Sequence, residues 1–156
     1  MYKKILIPHA GTPAGDEALK HAIHIAKTSS SKIVLLHVVE EITHPPSFAM
    51  SSSERKSLFK IVDDANESIR KDMEKEMEKR EEKCKESNLE PEVIVSTGNA
   101  AETILDIVNE KKIDLIVMAK RRKFKGVKKL LSLGSVSRKV VENVNCPVML
   151  IDIENL

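Results

Sequence analysis

Tryptophan is absent from this chain, and one tyrosine and three phenylalanines make up its aromatic residues. So few flat rings exclude a large stacking platform for single-stranded nucleic acid. Cysteine is almost as scarce. Cys84 and Cys146 form no C-x-x-C pair and have no ligand set beside them, which argues against a disulfide framework or zinc site and fits a reducing compartment. No apolar run approaches the roughly 18 residues of a membrane span. The chain passes from Met1 straight into a strand pattern without a secretory leader. A cytoplasmic protein without a membrane partner is expected. Also missing are a Gly-x-Ser-x-Gly elbow, a full Walker loop and Cys/His zinc spacing. His21 and His24 have the three-residue spacing of a shared helix face, but the sequence places no third ligand with them, so they read as surface or half-buried histidines. No catalytic residue and no metal ligand is assigned, and an enzyme reading therefore lacks a catalytic group.

What is present describes one domain, residues 1–156, long enough to bury a core without staples. Apolar residues at 41% and charged residues at 32% indicate a globular, strongly solvated chain rather than a disordered one. The net charge of +2 conceals a local excess. Lys120, Arg121, Arg122, Lys123, Lys125, Lys128 and Lys129 crowd one short stretch with Phe124 as its single aromatic.

The hydrophobic pattern alternates between strand and helix. Lys3 to Pro8 reads as a buried strand, and His9 to Gly15 as a loop by its Gly and Pro content. Asp16 is the expected N-cap of the first helix, with a start one or two residues earlier left open, and the apolar face runs through Ala18, Leu19, Ala22, Ile23, Ile25 and Ala26. Lys32 to Val39 is a near-continuous apolar run, as in a parallel strand covered on both faces. Residues 40–53, with Pro45, Pro46 and a run of serines, read as a mobile loop. From Glu54 to about Asn88 a long helix is expected, with Leu58, Ile61, Val62, Ala65, Ile69, Met73 and Met77 as its apolar stripe and Glu and Lys on solvated faces. Strands follow at Glu92–Ser96, Ile113–Met118 and Pro147–Ile151, separated by helices through Ala101–Val108 and Val136–Val144. Such alternation implies an α/β fold, an open five-stranded parallel sheet with helices on both faces.

Sheets of this kind bind ligands at the carboxyl ends of their strands. Two loops here have that position: His9 to Gly15, and Ala119 to Gly134. Gly134 and Ser135 open the last helix, where free backbone amides attract anions and glycine admits a phosphate close to the backbone. Ser135 and Ser137 add hydroxyl donors. A plain serine N-cap accounts for the same segment equally well.

Several segments together resemble the universal stress protein family over nearly the whole chain, except about residues 43–88. Lys3-Lys4-Ile5-Leu6-Ile7-Pro8 with Gly11-Thr12 resembles the family's opening strand and loop, and Leu35-Leu36-His37-Val38-Val39 its second strand. Gly98 to Leu105 followed by Asp114 to Met118 resembles the third helix and fourth strand. Leu133-Gly134-Ser135-Val136-Ser137 and then Asn145-Cys146-Pro147-Val148 resemble the closing loop, helix and strand. The resemblance implies strand order 3-2-1-4-5, the adenine nucleotide alpha hydrolase-like arrangement, and a homodimer through Pro147, Val148, Met149, Leu150 and Ile151. It also implies a pocket for ATP or another adenine nucleotide. Pro8, Val38 and Met118 would lie near the base and Gly134, Ser135, Val136 and Ser137 at the phosphates, with magnesium only as the nucleotide's counter-ion.

The chain departs from that pattern where ligands are concerned. Ala10 stands where the family usually has an acid, and Ala119 where it usually has glycine. Lys120, Arg121, Arg122, Lys123 and Lys125 replace the second loop glycine in a loop about two residues longer, with Gly126 as a displaced substitute. The expected function is a nucleotide- or phosphate-responsive binding and signalling module with weakened ATP binding. The alternative is an ATP-independent interaction protein whose basic loop takes an acidic partner, polyphosphate or nucleic acid. Weak ATP hydrolysis or autophosphorylation is a third reading, with no catalytic base identified for it.

Overall fold

A computed structural model describes residues 1–120 and 134–152. Among the described residues nine elements alternate: β1 (Lys4–Pro8), α1 (Pro13–Ser29), β2 (Lys32–Val39), α2 (Ser52–Lys85), β3 (Glu92–Thr97), α3 (Ala100–Lys111), β4 (Leu115–Ala119), α4 (Ser135–Asn143) and β5 (Val148–Ile151). The strands form one parallel sheet in the order β3-β2-β1-β4-β5, as expected. β1 pairs with β2 from Lys4 opposite Lys32 to Pro8 opposite Leu36, so the two strands start together and β2 runs on through His37, Val38 and Val39 beyond the end of β1.

The strand pleat sends alternate residues to opposite faces, and each face buries its own core. Ile5, Ile7, Ile33, Leu35, Leu115 and Val117 pack with Ala18, Leu19, Ala22 and Ala26 of α1 and with Met77 and Cys84 of α2. Leu6, Val34, Leu36, Ile116 and Met118 pack with Ile104 and Val108 of α3 and Val140 of α4. This two-sided burial is why the strands carry no polar alternation.

Three local expectations are corrected. The first helix begins at Pro13 and is capped by Thr12, whose Oγ1 accepts the Gly15 N–H at 3.3 Å, not by Asp16. Proline at the start of a helix needs no intrahelical donor, so the cap falls ahead of it. Second, the serine run assigned to a loop starts α2. Ser51 is its N-cap, accepting the Glu54 N–H at 3.3 Å, while Glu54 returns to the Ser51 N–H at 2.9 Å, a reciprocal capping box. Third, the connection before it is held to α2 rather than left loose. Asn66 accepts from the Ile42 N–H at 2.8 Å and donates to the Ile42 carbonyl at 3.0 Å. His44 Nε2 lies 2.8 Å from Asp63 Oδ1, and its ring stacks on Phe59 at 4.3 Å between centroids.

The expected stripe of α2 is buried over only part of its length. Val62, Met77, Arg80 and Cys84 are buried, but Ile61 is 65% exposed, so the first half of the helix overhangs the sheet. Among the described residues no helix is long and apolar enough to cross a membrane.

Candidate ligand cleft

A cleft of about 440 Å³ opens at the carboxyl ends of β1, β2 and β4. Its floor is made by the strand ends: Pro8 at the end of β1 with Ala10 after it, Leu36 to Val39 on β2 with Glu40 after it, and Met118 and Ala119 on β4. Helix starts close its sides, with Thr12 and Gly15 from α1, Ala100 from α3 and Val136 and Ser137 from α4. Ile69 and Met73 of the overhanging α2 form the remaining wall.

His9 organises the loop after β1. Its backbone N–H donates to the Leu36 carbonyl at 2.8 Å, continuing the β1–β2 ladder by one residue. Its Nδ1 accepts the Gly11 N–H at 3.0 Å, so the ring proton sits on Nε2. Gly11 has φ +72°, the left-handed conformation that glycine adopts without penalty. The ring lies flat against α1 at Gly15, where a Cβ would come within 2.9 Å of His9 Cε1. That contact requires glycine. Burial pushes the His9 pKa down to about 4, aided by the nearby Arg80 guanidinium and opposed by Asp16. The ring is therefore neutral near pH 7.

Behind His9, Asp16 accepts two hydrogen bonds from Arg80, at 3.0 Å from Nε and 3.2 Å from Nη2. Arg80 also donates to the Glu76 carbonyl at 2.9 Å and pairs with the Glu76 carboxylate. Burial alone would raise the Asp16 carboxyl, but the hydrogen bonds and charge of Arg80, with Lys83 behind, hold it below its ordinary value. This cluster fastens α2 to α1 beside the cleft.

His37, at the end of β2, is 8% exposed and lines the cleft. Its Nδ1 stands 2.6 Å from the His9 carbonyl. On the far side, α4 begins with Gly134 as N-cap and no side-chain cap, and Ser137 is buried on the cleft wall. The first-turn amides of α4 thus face a site where a bound anion would meet donors.

Of the sequence-derived site residues, Pro8, Ala10, Val38, Met118, Ala119, Val136 and Ser137 line this one cleft. Gly134 is buried at the start of α4 and Ser135 is exposed there, and neither is on the lining. Lys120 turns to the edge of the sheet, its N–H donating to the Ile151 carbonyl at 2.7 Å and its Nζ reaching Asp152 at 3.4 Å. Arg121, Arg122, Lys123, Lys125 and Gly126 lie outside the described residues. His21 and His24 are exposed, and among the described residues no group of three His, Cys, Asp or Glu side chains is placed to hold a metal ion.

Sequence reasoning placed His9 in a candidate ligand loop without giving it a role, and missed His37, Glu40, Ile69 and Met73. His37 and Glu40 lie in the last residues of β2 and just past it, a position that nominates them as it did the His9 loop. Ile69 and Met73 carried no such signal, because their spacing is that of any amphipathic helix. Cys84 is buried, which pushes its thiol up to about 11 and leaves it protonated and unreactive.

A family model described as the universal stress protein family matches residues 1–152. The universal stress protein MJ0531 of Methanocaldococcus jannaschii is 31% identical over 151 residues, covering 97% of this chain and 82% of its own. The solved structure of protein MJ0577 from the same organism superimposes with a TM-score of 0.77 at 25% identity, covering 100% of this chain and 99% of its own. A universal stress protein family protein of Arabidopsis thaliana, solved with AMP bound, shares the fold at a TM-score of 0.59 and 23% identity, covering 96% of this chain and 91% of its own.

Proposed function

The chain belongs to the universal stress protein family, and from that premise we propose that it is a nucleotide-responsive binding module whose cleft takes an adenine nucleotide. The observation that carries the reading is the convergence of three strand ends and an uncapped α4 start on one cleft of about 440 Å³. Its apolar walls suit a purine and ribose, and the α4 amides with Ser137 suit a phosphate. The AMP-bound relative with the same fold supports this choice of ligand. Binding signals by favouring one arrangement of the cleft loops over another, and so one partner surface over another. Among the described lining residues Glu40 is the one carboxylate, so magnesium enters only with a nucleotide that carries it.

Ala10 and Ala119 on the lining favour a second reading, in which ATP is not the natural ligand and the Lys120–Lys129 run docks a polyanion. Calorimetric titration with AMP, ATP and cyclic AMP, beside polyphosphate and single-stranded RNA at two salt concentrations, separates the two. Heat from an adenine nucleotide, with little dependence on salt, supports the first reading. Polyphosphate binding that falls steeply with salt, without nucleotide binding, replaces it with the second.

A further inference from the structure

Two sides of the cleft are tied together just outside its rim. Glu40 lines the cleft after β2, and Ile69 lines it from α2. Ile42 follows Glu40 by two residues. Asn66 precedes Ile69 by three, about 4.5 Å along the helix axis. These two residues are joined twice. Asn66 Oδ1 accepts the Ile42 N–H at 2.8 Å, and Asn66 Nδ2 donates to the Ile42 carbonyl at 3.0 Å. One side-chain amide thus binds the backbone that continues the β2 side of the cleft to the helix that forms its α2 side.

Packing does little to hold α2 at that level. Its second half is anchored by Met77 and Cys84 in the core and by buried Arg80. From residue 63 to residue 76 no α2 residue is buried, and Ile69 and Met73 stand over the cleft. The connection before α2 is not packed on the helix either. A gap of about 540 Å³ opens between them, lined by Ile42, Thr43, His44, Asn66, Arg70 and Thr97 among others. Exposed contacts bridge it: the Asn66 pair, and His44 with Asp63 and Phe59. Hydrogen bonds in such a setting are weak, because water replaces them, and local opening starts where the ties are weakest. α2 has no glycine or proline between Ser52 and Lys85, so the Asn66 tie and the cleft wall belong to one unkinked rod.

We propose that α2 is the lid of the cleft and that the Asn66–Ile42 pair is its latch, so that a ligand enters and leaves as this pair opens. The proposal rests on the nucleotide reading above for the ligand that tests it. Neither Asn66 nor Ile42 lines the cleft, so the latch governs access rather than contact. Its loss raises the open fraction with and without ligand, and entry and release then quicken together while affinity holds. A side chain that only steadies the bound form behaves differently: its loss quickens release alone and weakens binding.

The test is stopped-flow binding of a fluorescent N-methylanthraniloyl AMP to the full chain. In Asn66→Ala the association and dissociation rate constants should both rise about fivefold or more, with the dissociation constant within about twofold of the wild type. Lys60→Ala, at an exposed position of the same helix, should leave both rates as they are. In the wild type the Ile42 N–H reports the latch directly, and its hydrogen exchange should slow about fivefold or more on saturation with unlabelled AMP. Unchanged rates in Asn66→Ala, a rise in dissociation alone, or an Ile42 amide indifferent to bound AMP overturns the lid and leaves the nucleotide reading standing. Binding of neither AMP nor its labelled form removes that reading and this one together. The exchange measurement decides even where the variant is poorly folded.

Discussion

The His9 side chain has no exposed surface, and its Nε2 stands 3.3 Å from Asp16 Oδ1 without an aligned hydrogen bond. Asp16 is close enough to attract a proton to the ring, but burial and Arg80 outweigh it and bring the pKa down to about 4 from 6.5. The folded state thus favours the neutral ring, and the unfolded chain takes up the proton first as pH falls. The stability this contributes is complete above about pH 6.5, declines toward pH 4 and is gone below it, for roughly 3 kcal/mol in all. The depressed Asp16 carboxyl adds a loss of the same sign at lower pH, through and below its ordinary range. Urea titrations between pH 7 and pH 4 should show the decline. In His9→Asn, which does not titrate, it should be flattened over that window even though the starting stability is lower. Beside it, Gly15→Ala drives a methyl to 2.9 Å from a ring that is boxed in, and should cost about 1–3 kcal/mol in thermal unfolding. Ala10 is the third position where one residue decides much. It is exposed on the cleft lining, so Ala10→Asp adds an acceptor without a packing cost. Together with Ala119→Gly it should strengthen ATP binding by about tenfold to a hundredfold, read by titration.

Helix α2 is the element whose role the sequence conceals. At 34 residues it runs about 50 Å, and its first half overhangs while its second half docks. Docking depends on Met77 and Cys84 in the core and on Arg80, buried between Asp16 and Glu76. Arg80→Ala leaves Asp16 with its main partner removed, and should cost about 3 kcal/mol, the low end for a broken buried pair because Asp16 keeps 23% of its side-chain surface. Hydrogen exchange should then rise first in the second half of α2. The strands were legible because near-continuous runs such as Ile33–Val39 admit no other element, and the long helix was legible from its spacing. Arg80 was not: in a run crowded with Glu and Lys it looks like another solvated charge, and its partner Asp16 is far away in sequence. For the same reason the α2 wall of the cleft, Ile69 and Met73, went unseen, while Pro8, Val38 and Met118 were found through the family pattern at the strand ends.

At the scale of the molecule β3 and β5 are the two edges of the sheet among the described strands, because the order is β3-β2-β1-β4-β5. Periodicity gave five strands and their parallel sense, but nothing in it orders them; the order came from the family resemblance. β5 is the side with the greater liability. It is four residues of continuous apolar sequence, Val148–Ile151, and it pairs with β4 alone among the described strands. The amides of Ile116 in β4 and of Lys120 just after it donate to the carbonyls of Pro147 and Ile151, so the intervening backbone groups of Val148 and Leu150 point away from β4 toward the open edge. Met149 is 39% exposed on this strand, and Val141 of the adjoining α4 is 44% exposed. An unpaired apolar edge is an invitation to another strand, and two-fold pairing of β5 with its copy satisfies both edges at once. A dimer is therefore expected in sedimentation at micromolar concentration. Met149→Lys places like charges near each other across the two-fold axis while leaving the monomer core intact, since the side chain already reaches solvent. It should shift the wild-type dimer to a monomer with an unchanged unfolding midpoint extrapolated to low concentration. A wild type that sediments as a monomer, or a lysine variant that remains dimeric, would place the contact elsewhere.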